Sequence, residues 1–112
     1  ALIYTSGTTG KPKGVMLTHL NFVHNVKVSL IHIPHINNEE TFLSFLPLSH
    51  VLERSAGSYI PIYSGSLVYY AENIKKLADN LSETKPTILV GVPKIFEKMY
   101  EKIFCNITHH AV

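Results

Sequence analysis

Residues 5–14 read Thr5-Ser6-Gly7-Thr8-Thr9-Gly10-Lys11-Pro12-Lys13-Gly14. The stretch concentrates four hydroxyls, three glycines and two ammonium groups, and it lies between an apolar run that predicts a strand and a segment with helical spacing. Glycines allow backbone N–H groups to converge on one point, while hydroxyls and a lysine complement phosphoryl oxygens. The same residue types also build ordinary turns and hairpin loops, so composition alone leaves two interpretations, a phosphate cradle and a plain turn.

Two familiar nucleotide-binding signatures do not fit this loop. A Walker loop requires four residues between its glycines and then Gly-Lys-Ser/Thr, whereas Gly7 and Gly10 enclose two residues and Pro12 follows Lys11. The dinucleotide fingerprint requires glycines at its first, third and sixth positions, and here they fall at positions 7, 10 and 14. The sequence therefore argues against a standard P-loop NTPase and against a dinucleotide-binding dehydrogenase.

Outward from the loop, short β-branched or aromatic runs alternate with longer stretches of helical spacing. We predict strands over residues 1–5, 41–46, 66–70 and 87–92. We predict helices that begin at Thr18 and end by Pro34, span about 52–63, begin at Asn73 and end at Lys85, and begin at Pro93. Thr18 and Asn73 are suitable N-caps. This alternation is typical of an α/β fold, a mainly parallel sheet with covering helices.

The composition narrows the possible partners and the location. The 112-residue chain is 46% hydrophobic, and its 10 Lys and Arg against 8 Asp and Glu leave a net charge of +2. Because cations and anions are interleaved, we expect no nucleic-acid partner. The single cysteine, Cys105, favours a reducing compartment, and no apolar run approaches the roughly 20 residues of a membrane helix. We expect a cytoplasmic chain of one domain at most, with no transmembrane segment.

The loop and its flanks resemble the AMP-binding signature of the adenylate-forming superfamily, which includes acyl- and aryl-CoA synthetases, luciferases and peptide-synthetase adenylation domains. The matching run is Tyr4-Thr5-Ser6-Gly7-Thr8-Thr9-Gly10-Lys11-Pro12-Lys13-Gly14-Val15, followed by Leu17-Thr18-His19. Two further stretches are similar to segments of long-chain fatty acyl-CoA synthetases, namely Leu46-Pro47-Leu48-Ser49-His50-Val51-Leu52-Glu53-Arg54 and Lys85-Pro86-Thr87 through Val92-Pro93-Lys94-Ile95-Phe96-Glu97-Lys98. The resemblance covers nearly the whole chain.

The resemblance implies a two-step ligase reaction that uses ATP, Mg²⁺ and CoA. A fatty acid carboxylate attacks the α-phosphorus of ATP and becomes an acyl adenylate, and the CoA thiol then displaces AMP. The residues implied to hold the β- and γ-phosphates are Thr5, Ser6, Gly7, Thr8, Thr9 and Gly10, and Lys13 matches the loop lysine of the family. Thr8 is the candidate contact to the phosphate-bound Mg²⁺, which would spread the charge of the departing pyrophosphate.

His50 is the second candidate catalytic residue, beside Lys13. It follows a predicted strand end and Pro47, and ligands approach parallel sheets at the carboxyl ends of their strands. The resemblance implies that it lines the site next to the reacting carboxylate and the α-phosphate. We expect it to orient and to stabilise charge, because the attacking carboxylate has no proton to remove. Glu53 and Arg54 are expected to form a local structural pair.

Two questions of function stay open at this level. A long-chain fatty acid–CoA ligase is favoured by Glu53-Arg54 and by the Glu97-Lys98 helix, and an aryl- or medium-chain acyl-CoA ligase is the alternative. Residues 1–112 taken alone are expected to be a non-catalytic, phosphate-binding fragment of the large N-terminal domain. The aromatic-Gly-x-Thr-Glu motif, the ribose-binding aspartate and the small C-terminal domain of the family are missing from this sequence. Peripheral membrane association of the parent protein is a further open possibility.

Overall fold

The computed structural model describes residues 1–5 and 10–109, with side chains as far as residue 101. Its strands are β1 (Leu2–Thr5), β2 (Lys13–Met16), β3 (Thr41–Ser44) and β4 (Leu67–Tyr70). Its helices are α1 (His19–His32), a π-helix (Glu53–Tyr59) that runs into α2 (Ile60–Ser64), a 3₁₀ turn (Ile74–Lys76) that runs into α3 (Leu77–Thr84), and α4 (Pro93–His109). The described part is therefore of the α/β class that the sequence predicts.

β3 and β4 form the parallel pair that the alternating pattern predicts, with Thr41 opposite Leu67 at the start of the register. The main core lies against this pair, where Phe42 of β3 packs with Val26 of α1 and Ile60 of α2. Full burial of an apolar side chain of this size contributes about 1.5–3 kcal/mol relative to exposure. This cluster is therefore what holds α1 and α2 onto the sheet.

The strand predicted over residues 87–92 is wrong in extent, since the structure forms only a parallel bridge there, between Phe42 and Ile88. The N–H groups of Thr87 and Ile88 both donate to the Thr41 carbonyl, at 2.9 and 3.0 Å. Two successive amides that share one acceptor interrupt the even spacing of a parallel ladder. The segment still lies along β3, on the side away from β4.

The first strand pairs with a strand inside the stretch that the sequence analysis treats as loop. β1 and β2 are antiparallel, with Thr5 opposite Lys13 and Tyr4 opposite Gly14. The prediction of a loop that leads directly from a strand into a helix is therefore wrong, because β2 separates residues 6–12 from α1. Every residue of β2 is exposed, so the pairing depends on backbone hydrogen bonds and leaves no hydrophobic alternation to detect in the sequence.

The helix predicted over 52–63 is present but is wound differently. Residues 53–59 form a π-helix, in which the Ile60 N–H donates to the Ser55 carbonyl, five residues back. Pro61 lies in the first turn of α2 and has no N–H to continue an α-helical ladder with the preceding turn. The π-helix ends at Tyr59, just before Pro61, and α2 begins at Ile60.

The predicted helix caps are confirmed. The Thr18 hydroxyl accepts from the Asn21 N–H at 3.2 Å, and the Asn73 side chain accepts from the N–H groups of Lys75 and Lys76 at 3.0 and 3.1 Å. Lys85 ends α3 in the left-handed region, with φ of 45°. Within residues 1–5 and 10–109, none of the helices combines the length and the hydropathy that crossing a membrane requires.

Candidate functional site

The carboxyl end of β1 and the turn after β3 line one cleft of about 870 Å³. Thr5 and Tyr4 come from β1, while Pro47 and His50 come from the turn, and Arg54 comes from the π-helix that follows it. Thr5 and His50, two of the residues predicted for the site, are thus brought together from distant positions in the sequence. Ligand pockets in proteins are typically 300–1,000 Å³, so this cleft is large enough for a small-molecule substrate.

His50 is held by three hydrogen bonds at the point where the chain turns from β3 into the helix. Its N–H donates to the Pro47 carbonyl at 2.9 Å, and its carbonyl accepts from the Arg54 N–H at 3.0 Å. Its ring Nδ1 lies 3.2 Å from the Leu52 nitrogen and accepts from that N–H. An imidazole nitrogen that accepts carries no proton, so the neutral ring carries its proton on Nε2. The Nε2 N–H is therefore the group that His50 can offer to a ligand as a donor.

Arg54 also lines the cleft, four residues after His50, and its N–H donates to the His50 carbonyl. Its Nε donates to the Tyr59 hydroxyl at 3.1 Å, which steadies the guanidinium group at the cleft. Residues four apart share a helical face, and this spacing is the sequence signal by which Arg54 could have been assigned to the site. Its assignment as only a structural partner of Glu53 missed this position.

The expected pair between Glu53 and Arg54 is wrong. The Glu53 side chain is 0% exposed, and its Oε1 accepts a hydrogen bond from the Ser44 hydroxyl at 2.5 Å. Consecutive residues on a helix point in different directions and do not face each other. Glu53 therefore reaches Ser44 of β3, while Arg54 reaches the Tyr59 hydroxyl and lines the cleft.

The two ends of the predicted phosphate loop lie on the paired strands β1 and β2. Thr5 ends β1 and lines the cleft, and Lys13 begins β2 directly opposite it. Gly10 adopts a φ of +78°, a backbone conformation that glycine reaches without strain and other residues rarely adopt. Lys13 is exposed and does not belong to the described lining of the cleft. Ser6, Gly7, Thr8 and Thr9 lie outside the described residues, so the predictions for them stay predictions.

The donors at this end of the molecule suit a polyanion. Among many apolar residues, the described lining of the cleft includes Thr5, His50 and Arg54, whose side chains carry hydrogen-bond donors, and it includes no Asp or Glu. Hydrogen bonds from such groups to phosphate or carboxylate oxygens are about twice as strong as neutral ones when the acceptor is charged. In the part of the chain that the structure describes, no group of three or more His, Cys, Asp or Glu side chains is arranged to hold a metal ion.

Residues 1–111 match the family model described as AMP-binding enzyme. The chain therefore belongs to the family of AMP-binding enzymes, the adenylate-forming ligases. This is the family whose signature the stretch from Tyr4 to Val15 resembles, and the resemblance is confirmed.

Several curated relatives of the chain are named as long-chain fatty acid ligases. The chain is 43% identical over 108 residues to the human long-chain-fatty-acid–CoA ligase ACSBG2, a match that covers 94% of this chain and 16% of the relative. It is 46% identical over 100 residues to the long-chain-fatty-acid–CoA ligase FadD15 of Mycobacterium tuberculosis, covering 88% of this chain and 16% of that protein. The chain thus spans about one sixth of the length of these relatives.

Solved structures of adenylate-forming enzymes share the fold. The o-succinylbenzoate CoA synthetase MenE of Bacillus subtilis, solved with ATP and a magnesium ion, superposes with a TM-score of 0.76 at 28% identity, covering 89% of this chain and 21% of that one. ATP-bound MatB of Rhodopseudomonas palustris gives a TM-score of 0.72 at 26% identity, covering 87% of this chain and 19% of that chain. The predicted fold, that of part of an adenylate-forming enzyme, is confirmed.

Proposed function

We propose that this chain is the phosphate-loop part of the large N-terminal domain of an ATP-dependent long-chain fatty acid–CoA ligase. The observation that carries the proposal is the cleft lined both by Thr5, at the start of the signature loop, and by His50, in the second family-like stretch. The relatives named as long-chain ligases, at 43% and 46% identity, support the substrate class. The full-length protein is then a longer polypeptide that activates a fatty acid as acyl-AMP and transfers the acyl group to CoA.

In this proposal the hairpin holds the polyphosphate. Thr5, Ser6, Gly7, Thr8, Thr9 and Gly10 supply hydroxyl and backbone donors to the β- and γ-phosphates, and Lys13 adds a cation across from Thr5. Thr8 would contact the Mg²⁺ that accompanies ATP, and this ion would supply neutralising charge to the departing pyrophosphate. The left-handed Gly10 supports this assignment, because it lets the backbone turn without a side chain in the way.

His50 orients the reacting groups in the same cleft. Because its Nδ1 already accepts from Leu52, its Nε2 N–H donates to an oxygen of the α-phosphate or of the attacking carboxylate. A preorganised donor aimed at developing charge stabilises a transition state by about 2.7–4 kcal/mol. The arrangement supports a role in charge stabilisation, as the absence of a proton on the attacking carboxylate requires.

Two narrower statements belong to the same proposal. The 112-residue chain taken alone binds phosphate without completing the reaction, since the residues implied for adenine, ribose and the second half-reaction lie elsewhere in the full-length protein. We place the full-length protein in the cytoplasm, with peripheral association with a membrane as a further possibility.

A substrate panel tests the proposed class. The full-length protein should release pyrophosphate with ATP, Mg²⁺ and a long saturated fatty acid, and release should be weaker with medium-chain acids, benzoate or cinnamate. Activity on benzoates or cinnamates without activity on long fatty acids would make the aryl-CoA ligase alternative correct. Turnover by residues 1–112 alone above the blank would contradict the assignment of this part as non-catalytic.

A further inference from the structure

Glu53 is a buried carboxyl group that the proposed reaction leaves unused. Its side chain is 0% exposed, and its Oε1 accepts from the Ser44 hydroxyl at 2.5 Å. Its Oε2 is also buried and has no hydrogen-bond partner among the residues that the structure describes. Burial raises the pKa of this carboxyl, and the hydrogen bond from Ser44 opposes the shift. A group this costly to bury calls for an explanation.

The hydrogen bond between Ser44 and Glu53 closes the segment that carries His50. Ser44 is the last residue of β3, and Glu53 is the first residue of the π-helix. Between these two fixed ends, the His50 N–H donates to the Pro47 carbonyl and the His50 ring accepts from the Leu52 N–H. His50 is thus the apex of a short closed loop whose base is the buried pair.

Gly57 of the π-helix leaves room for this carboxyl. A Cβ atom added at Gly57 would lie 2.3 Å from Glu53 Oε1 and 2.9 Å from Oε2, so the carboxyl occupies the space that a side chain at position 57 would need. π-helical turns are rare and are found mostly at functional sites. The buried carboxyl of Glu53 and Gly57 therefore pack against each other within the π-helix, next to the segment that carries His50.

We propose that Glu53 is a positioning residue for His50: its buried carboxyl ties the first turn of the π-helix to the end of β3 and thereby fixes the His50 ring at the cleft. Glu53 does not belong to the described lining of the cleft, so it acts through His50 and touches no substrate itself. The inference rests on the proposed function, because the consequence for catalysis follows only if His50 serves the adenylation step.

A double-mutant cycle in the full-length protein tests the catalytic consequence. Glu53→Ala should lower kcat for adenylate formation about 10- to 100-fold, since a displacement of about 1 Å at a reacting group costs about 100-fold, while KM for ATP changes less than about twofold. Glu53→Gln, which keeps the acceptor for Ser44, should recover most of that loss. In a His50→Ala background, Glu53→Ala should cause no further loss, because the residue through which it acts is gone. Glu97→Ala, at an exposed glutamate of α4, is the matched control and should match the wild type.

Multiplicative effects of Glu53→Ala and His50→Ala would overturn the inference. An equal loss of kcat in Glu53→Gln would also overturn the inference. That variant keeps an acceptor for the Ser44 hydroxyl, so the hydrogen bond would then not be what positions His50. If Glu53→Ala does not fold, Ser44→Ala removes the other half of the pair with a smaller cavity, and the same lack of additivity with His50→Ala is expected.

Hydrogen exchange separates this inference from the proposed function. In the full-length protein, the amides of Leu52 and Arg54, whose acceptors belong to His50, should exchange about tenfold faster in Glu53→Ala, the effect of losing about one hydrogen bond. They should stay close to the wild type in Glu53→Gln. Unchanged protection in Glu53→Ala would overturn the inference, whatever the activity. A wild-type protein without adenylation would overturn the proposed function, and the exchange result would still decide whether Glu53 fixes His50.

Discussion

The β1–β2 hairpin and the β3–π-helix segment both contribute residues to the candidate cleft, but they are stabilised in different ways. Each residue of β2 is exposed, and Ile3 is the one buried residue of β1, so the hairpin is held mainly by backbone pairing. In β3, by contrast, Phe42, Leu43 and Ser44 are all buried, and Ser44 continues into the buried contact with Glu53. The hairpin therefore offers backbone and hydroxyl donors. The β3–π-helix segment offers the His50 side chain, and the buried Ser44–Glu53 hydrogen bond closes that segment.

Because of this difference, we expect substitutions in the hairpin and substitutions in the β3–π-helix segment to have different effects. A change in the hairpin should weaken the binding of the nucleotide and leave the core intact. A change in the β3–π-helix segment should alter the rate of the chemical step or the stability of the fold. The following changes, all made in the full-length protein, test this division from the largest expected effect to the smallest.

Replacement of the proposed charge-stabilising donor should have the largest effect. His50→Ala should lower kcat for adenylate formation about 100- to 1,000-fold, the loss typical of one preorganised donor. His24→Ala, at an exposed histidine of α1, serves as the control and should leave the rate unchanged. Single-turnover measurement of acyl-AMP formation gives the rate directly. A loss below threefold in His50→Ala would remove His50 from the catalytic site.

Removal of the hairpin cation should affect the nucleotide in particular. Lys13→Ala should lower kcat/KM for ATP about 10- to 100-fold, since a hydrogen bond from a charged group contributes about 1.5–3 kcal/mol. Lys11 is two residues away and exposed, and the family resemblance implies no phosphate contact for it, so Lys11→Ala should stay within about twofold. Initial rates at varied ATP concentration distinguish the two. Equal losses in both variants would show that general positive charge is responsible rather than Lys13.

Gly57→Ala should test the packing of the β3–π-helix segment through the free energy of unfolding. Gly57→Ala places a carbon 2.3 Å from Glu53 Oε1, and forced overpacking of this kind costs about 1–3 kcal/mol. The free energy of unfolding, measured by denaturant titration, should fall by that amount. Gly10→Ala is the counterpart in the hairpin, where no atom lies within 4 Å of the added carbon but φ is +78°. The free energy of unfolding of Gly10→Ala should fall by about 1–2 kcal/mol through backbone strain alone. A Gly57→Ala variant as stable as the wild type would contradict the packing described for Glu53.

The pH dependence of stability should show the smallest effect. Because burial raises the pKa of Glu53 in the fold above its ordinary value of 4.5, the neutral form is the one that folding favours. Its contribution to stability is fully present below about pH 4.5 and is lost as pH rises through the raised pKa. Glu53→Gln cannot ionise, so the stability of the variant relative to the wild type should increase as pH rises through that window. A difference that does not change with pH would mean that Glu53 titrates at its ordinary pKa.

Much of the fold follows from the sequence because its cues are local. Hydroxyl and amide N-caps at Thr18 and Asn73, and the β-branched or aromatic runs at 41–46 and 66–70, gave elements that the structure confirms. β2 could not be predicted, because its exposed residues Lys13 and Gly14 carry no alternation and the strand depends on its partner. The reduction of residues 87–92 to a bridge depends on one shared carbonyl acceptor, which is invisible in the sequence.

The candidate site is only partly predictable, because some of its contacts join residues that are distant in the sequence. Thr5 and His50 were identified from their place in family-like stretches, and the structure brings them to one cleft. The partner of Glu53 was predicted incorrectly, because Arg54 is its neighbour in the sequence while Ser44 is its neighbour in space. Contacts between a strand and the helix that follows it depend on the crossing of the two elements, which composition and spacing do not determine.

The most direct test of the proposed function is to trap the intermediate. The full-length protein, incubated with ATP, Mg²⁺ and a long-chain fatty acid in the absence of CoA, should accumulate acyl-AMP that mass spectrometry detects, and addition of CoA should convert it to acyl-CoA and AMP. Absence of the adenylate from a folded, ATP-binding protein would contradict the proposal that the cleft between Thr5 and His50 activates fatty acids.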